Sequence, residues 1–129
     1  MAHPIAPYLL LIDDDEGIRE SYAEFLSINF NVDTSDSIED AISKLAGSKY
    51  QIAVIDMSFP DDPEGGLQIV SQISRTHVKT EAIVLSAHGS VDTCRKAFKK
   101  GAFDFIEKGQ SGTRAKVLAA ALEAVHKNK

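Results

Sequence analysis

The sequence predicts an α/β fold, one doubly wound domain with a five-stranded parallel sheet covered by helices on both faces. Three observations predict it. Short apolar runs such as Ile52-Ala53-Val54-Ile55 read as strands buried on both sides. Segments with apolar residues at helical spacing alternate with these runs along the whole chain. Several runs stop abruptly at polar residues, and in a parallel sheet all those stops lie along one edge, where ligands of such folds bind.

The bulk numbers agree. A chain of 129 residues suits one domain. With 43% hydrophobic and 26% charged residues, disorder is excluded. The 14 Lys and Arg against 19 Asp and Glu leave a net charge of -5, which gives no general pull toward nucleic acid or an anionic membrane. Nothing approaches the roughly 20 apolar residues of a membrane span. No basic segment leads into an apolar run and cleavage site, so no secretory signal is expected. The single cysteine, Cys94, cannot form an internal disulfide, which fits a reducing cytoplasm. The chain is expected to be cytoplasmic, without membrane or direct nucleic-acid contacts.

In order, residues 1–7 hold two prolines and read as an N-terminal extension, with the domain over 8–129. A strand is predicted over 8–12, ending in Asp13-Asp14-Asp15-Glu16. A helix follows with Ile18, Tyr22, Phe25 and Leu26 on one face, and the preceding acids suit its dipole. A short strand is predicted over 30–34. Asp36 or Ser37 then caps a helix on Ile38, Ala41, Ile42 and Leu45, with Gly47 as its stop. The strand over 52–55 runs into Asp56, and an acidic Pro/Gly-rich loop spans 60–66. Leu67, Ile69, Val70 and Ile73 mark the next helix. The strand over 82–85 ends in Ser86-Ala87-His88-Gly89. Ser90 or Asp92 starts a helix through Val91, Cys94, Ala97 and Phe98, stopped by Gly101. The last strand covers 103–106 and ends in Glu107-Lys108-Gly109. The last helix carries Val117, Leu118, Ala121, Leu122 and Val125, with Lys127 and Lys129 at its favourable end.

Asp13, Asp14, Asp56, Ser86 and Lys108 are therefore expected at one rim. Read singly each has a plainer explanation. Asp56 begins a turn toward Pro60, Asp14 is a helix-terminal charge, Ser86 caps a turn, and Lys108 is a solvated lysine. Together they are more specific. Two like charges about 4 Å apart repel by roughly 4 kcal/mol at an effective dielectric of 20. Clustered carboxylates thus need protons or a cation, and oxygen-only ligands favour a hard ion, Mg²⁺ (or Mn²⁺). Metal, ammonium and hydroxyl together suit a transferring phosphoryl group, with Asp56 as nucleophile.

On these residues the chain resembles the receiver domain of two-component response regulators. The resemblance runs from Tyr8 to Val125. It rests on Ile12-Asp13-Asp14-Asp15, on Asp56 with Pro60 four later, on Leu85-Ser86-Ala87, and on Gly101-Ala102-Phe103-Asp104-Phe105-Ile106-Glu107-Lys108. It implies a flavodoxin-like (βα)5 fold with strand order 2-1-3-4-5. It implies that Asp56 takes a phosphoryl group from a histidine kinase or histidine phosphotransfer protein, with Asp13, Asp14, Asp56 and the Ser58 backbone carbonyl holding Mg²⁺. Ser86 and Phe105 would be the switch pair. The output face would be the fourth helix, last strand and last helix, which can also pair with a second copy in a homodimer. Such a domain catalyses its own phosphorylation and dephosphorylation without being a turnover enzyme.

Three features depart from the family pattern. Gly109 stands where a proline usually follows the lysine through a cis bond; without proline a cis bond costs about 2.5–4 kcal/mol, so trans is expected. The loop over 60–66 looks about two residues longer than usual, against a norm of about 2–6 for such connections. Phe105 replaces the commoner tyrosine and lacks its hydroxyl. Ile18 reads equally as core or as an exposed anchor for the donor's helix. His88 reads as an exposed loop histidine near the phosphate site, as a tuner of hydrolysis together with Ser58 by family analogy, or as a ligand for a soft metal. Arg95, Lys96, Lys99 and Lys100 form a basic cluster, either a solvated face or one that pairs with a partner's acids.

Three other functions compete. A flavodoxin-like cofactor binder needs a phosphate-cradling Ser/Thr/Gly loop after the first strand, where this chain has four acids. An Asp-nucleophile phosphatase commonly needs a second acid at position 58, which is Ser58. A receiver-like module acting without phosphorylation does not need the full polar set.

Overall fold

The computed structural model describes residues 6–47, 49–76, 79–87, 89–109 and 111–127. Its elements alternate as β1 (Tyr8–Ile12), α1 (Glu16–Leu26), β2 (Asn31–Ser35), α2 (Ile38–Leu45), β3 (Tyr50–Asp56), α3 (Gly66–Thr76), β4 (Glu81–Ser86), α4 (Val91–Lys99), β5 (Asp104–Glu107) and α5 (Thr113–Lys127). The strands are all parallel in the order β2-β1-β3-β4-β5, the expected flavodoxin-like topology. The chain winds outward one way from β1 to β2 and the other way from β3 to β5. The topological switch point therefore lies between β1 and β3, which is where such sheets bind ligands.

Strand alternation divides the core in two. Leu9 and Leu11, Ile52 and Val54, Ile83 and Leu85, and Ile106 pack with α1 and α5 through Leu26, Val117, Ala121 and Ala124. Leu10 and Ile12, Ala53 and Ile55, and Ala82 and Val84 pack with α2, α3 and α4 through Ala41, Leu45, Ile69, Val70, Ile73 and Ala97. A period of two on an apolar strand is what supplies both layers. Tyr22, Phe25, Leu118 and Val125 join the first layer while partly buried. Ile18 is half-buried and belongs to neither layer.

Capping residues set the helix starts. Asp15 accepts the Ile18 amide at 3.0 Å, Ser37 accepts the Asp40 amide at 3.1 Å, and Ser90 and Thr93 form a reciprocal capping box. Gly101 ends α4 in the left-handed region at φ 111°, as expected of a helix stop. Gly47 does not act this way; α2 closes through Ala46 in right-handed geometry. Strand boundaries also differ, with β4 one residue longer at each end than predicted. β2 and β5 each start one residue later than predicted, and β3 begins at Tyr50 because Thr80 Oγ1 and the β1 pairing hold its first residues in the sheet.

The largest departure is on α4. Val91 and Phe98, assigned to its apolar face, are 76% and 46% exposed. Only Ala97 of that helix is fully buried, because α4 covers the edge strand β5 and meets the sheet along a narrow stripe. Among the described residues, no helix is long and apolar enough to cross a membrane. His88 and Lys129 lie outside the described residues.

Candidate functional site

The site grows out of sheet register. Ile12 stands beside Ile55, so one step further Asp13 and Asp56 emerge side by side at the switch point. Both continue the alternation that sends Leu9 and Leu11, and Ile52 and Val54, toward α1 and α5. Backbone bonds carry the sheet past its nominal ends: Asp13 N–H donates to Ser35 O at 3.0 Å, Met57 N–H to Leu85 O at 2.8 Å, and Lys108 N–H to Ser86 O at 2.8 Å. Asp13 is 1% and Asp56 6% exposed.

Lys108 joins them. Its ammonium donates to Asp13 Oδ2 at 3.1 Å and to Asp56 Oδ1 at 2.9 Å. Asp13 Oδ1 accepts the Asp15 amide at 2.9 Å. Asp14 is exposed, yet Asp13, Asp14 and Asp56 each place a carboxylate oxygen within 4.8 Å of the others. Burial pushes the Asp56 carboxyl up to about 6; Asp13 and Asp14 push the same way, and the Lys108 hydrogen bond pulls against them. Burial alone would lower Lys108, but the bonds and charges of Asp56 and Asp13 outweigh it and hold the ammonium above its usual range.

Two carboxylates on the Lys108 ammonium, with that of Asp14 close to both, leave negative charge to neutralise. The donor set is all oxygen, and opposite ligands of a Mg²⁺ octahedron lie about 4 Å apart. Oxygens within 4.8 Å of one another fit such an ion with small side-chain adjustments. The cluster is thus poised to chelate Mg²⁺ or Mn²⁺.

The loop after β3 returns close to the site's backbone. Gly66 N–H donates to Met57 O at 2.8 Å, and a Cβ at Gly66 would run into the Asp56 carbonyl oxygen. Only glycine allows that approach, a role invisible in the sequence because it depends on a distant backbone. The loop over 60–66 is tied to itself and to its flanks. Phe59 and Asp62 exchange two backbone bonds of 2.9 Å, and Asp62 also accepts the Glu64 amide at 3.1 Å and Gln68 Nε2 at 2.8 Å. Glu64 then meets Lys96 of α4 at 3.3 Å, and Asp92 meets the same lysine at 3.5 Å. One member of the basic cluster is therefore paired within the chain. Ser58 is exposed beside Met57.

Ser86 is buried and Phe105 half-buried. Val84 stands beside Phe105 and Ser86 beside Glu107, so Ser86 and Phe105 lie on the sheet face that carries α4. The Lys108–Gly109 bond is trans, as expected, and Gly109 has φ 82°, a conformation proline cannot take. Arg19 was overlooked in the sequence. Its Nη1 donates to the Asp13 carbonyl at 2.8 Å, and the available signal was a cationic residue one turn into the helix that follows the acids.

The sequence matches the response regulator receiver domain over residues 9–122. PilR of Pseudomonas aeruginosa, a response regulator protein, is 32% identical over 112 residues, covering 86% of this chain and 25% of PilR. The chain spans about a quarter of the length of PilR and of NtrX from Azorhizobium caulinodans. A CheY-like receiver domain from Methanospirillum hungatei shares the fold with a TM-score of 0.85 at 18% identity, covering 95% of this chain and 96% of that one. The beryllofluoride-activated NtrC4 receiver domain dimer gives 0.83 at 30% identity, over 95% and 98% of the two chains. The chain belongs to the response regulator receiver domain family, and is a signalling domain rather than a conventional turnover enzyme.

Proposed function

We propose that this receiver domain accepts a phosphoryl group onto Asp56 from a phosphohistidine on a histidine kinase or phosphotransfer protein. The observation that carries this reading is the Lys108 ammonium held between Asp13 and Asp56, with Asp14 in reach. Asp56 attacks phosphorus; the new P–O bond forms as the P–N bond breaks, and the imidazole leaves neutral when its other nitrogen carries a proton. Asp13, Asp14, Asp56 and the Ser58 backbone carbonyl would hold Mg²⁺ or Mn²⁺, which when bound neutralises charge on the phosphoryl oxygens. Lys108 moves to a phosphoryl oxygen, and Ser86 donates its hydroxyl to another. Phe105, on the same sheet face as Ser86, follows inward and alters the surface of α4, β5 and α5.

That surface has a second use. The exposed Val91 and Phe98 on α4 favour pairing of two phosphorylated copies through α4, β5 and α5. The NtrC4 receiver, described as a dimer in its beryllofluoride-activated form, supports this reading.

Incubation with Mg²⁺ and acetyl phosphate should give one acid-labile phosphoryl adduct by intact mass. Asp56→Asn, or chelation of the metal, should give none. Turnover of exogenous phosphoesters would favour the phosphatase reading instead.

A further inference from the structure

Asp13 is almost fully buried, and each of its oxygens has its own donor. Oδ1 takes the Asp15 amide at 2.9 Å, Oδ2 takes the Lys108 ammonium at 3.1 Å, and the backbone carbonyl takes Arg19 Nη1 at 2.8 Å. These donors differ in what they do during the reaction proposed above. Lys108 leaves the carboxylates for the phosphoryl group. The Asp15 amide and Arg19 have no such second task. Asp13 is the first residue past β1, so its carbonyl would otherwise end the strand without a side-chain anchor.

We infer that Arg19 is a positioning residue for the metal site, holding the Asp13 backbone so that its carboxylate keeps its aim when Lys108 departs. The inference rests on the receiver reading. The guanidinium exerts two opposed effects. Its charge disfavours a second cation nearby. Its hydrogen bond orients the ligand that cation needs. The bond is short and half-buried, whereas Asp14, the third carboxylate of the site, is exposed to water that screens charge. Orientation therefore outweighs repulsion, as it does for other groups that support metal ligands from behind.

The test is Mg²⁺ titration of the phosphate-free protein by calorimetry, with thermal stability measured on the same samples. Arg19→Met should weaken Mg²⁺ binding about tenfold or more. Arg19→Lys keeps a single cationic donor and should recover most of that loss. If Arg19→Met does not fold, Arg19→Gln replaces it and should show the same direction. A variant that melts earlier but binds Mg²⁺ as the parent does would make Arg19 merely structural and overturn the inference. Tighter binding in Arg19→Met would show that repulsion dominates and overturn it as well. Failure of the parent chain itself to bind Mg²⁺ would remove the receiver reading together with this one.

Discussion

Lys49 and Lys127, toward the amino-terminal edge of the sheet, each meet one carboxylate, whereas Lys108 at the opposite edge meets two buried ones with a third in reach. Lys49 pairs with Asp33 at 3.2 Å and lies 4.9 Å over the Tyr8 ring. Lys127 pairs with Glu81 at 3.1 Å and lies 5.3 Å over Phe103. Both are more than half exposed, at 53% and 57%, while the Lys108 side chain is 16% exposed. The residue types are the same at the two edges, but their charge balance differs. At the amino edge, Lys49 and Lys127 are each matched by one acid. The carboxyl edge keeps a surplus of buried negative charge that costs stability and calls for a cation. Residues that balance hold a fold together; residues left out of balance mark where it acts.

Substitutions at the two edges should separate them, most strongly at the lysines. Lys108→Met leaves Asp13 and Asp56 buried without their cation, and should cost about 3–5 kcal/mol at pH 8 without metal. Saturating Mg²⁺ should recover much of that in a denaturant titration. Lys49→Met should cost less than about 1 kcal/mol, as exposed pairs do.

The acids should respond with opposite signs. The Asp56 carboxyl is pushed up to about 6, so its ionised form destabilises the metal-free fold. Asp56→Asn should therefore raise stability by about 1–3 kcal/mol at pH 8 without metal. Hydrogen bonds from Tyr50 and Lys49 hold the Asp33 carboxyl below its usual range. Asp33→Asn should lower stability under the same conditions.

Their pH dependence follows. Asp56 binds its proton more tightly folded than unfolded, so its contribution is full below about pH 4 and is lost as pH rises toward 6. Asp33 does the reverse: its contribution is full above the ordinary carboxylate value and is lost as pH falls. Melting temperatures of the parent and the two Asn variants between pH 3 and 8 would resolve the two arms. Saturating Mg²⁺ should flatten the Asp56 arm alone.

The smallest effect is expected where the loop after β3 meets α4. The Glu64–Lys96 pair is exposed on both sides, so Glu64→Gln should barely shift the melting temperature, and salt should erase the difference. A larger loss would mean that the long loop over 60–66 depends on α4 for its shape.

What could be read ahead of the structure follows the physics of each feature. Buried strands announce themselves as apolar runs, so β1, β3 and β4 and their terminal Asp13, Asp56 and Ser86 were legible. β3 was placed short because Tyr50 and the exposed Gln51 break the run, although Tyr50 pairs with Tyr8 of β1 and the register shifts past Gln51. Val91 and Phe98 fit a helical stripe, but the sheet beneath α4 is too narrow to cover them. Gly66 and Arg19 were missed because each serves the backbone of a residue elsewhere in the chain: Gly66 by giving Asp56 room, Arg19 by bonding Asp13. Gly109 was legible as a departure, and its positive φ supplies the reason proline is absent.

Asp56, rather than Asp13 or Asp14, is expected to carry the phosphoryl group. Phosphorylating the chain with Mg²⁺ and acetyl phosphate, then reducing the acyl phosphate with borohydride, converts the modified aspartate to homoserine. Peptide mass mapping should find homoserine at Asp56 and leave Asp13 and Asp14 unchanged. Homoserine at Asp13 or Asp14, or none anywhere while Mg²⁺ binds normally, would contradict the account.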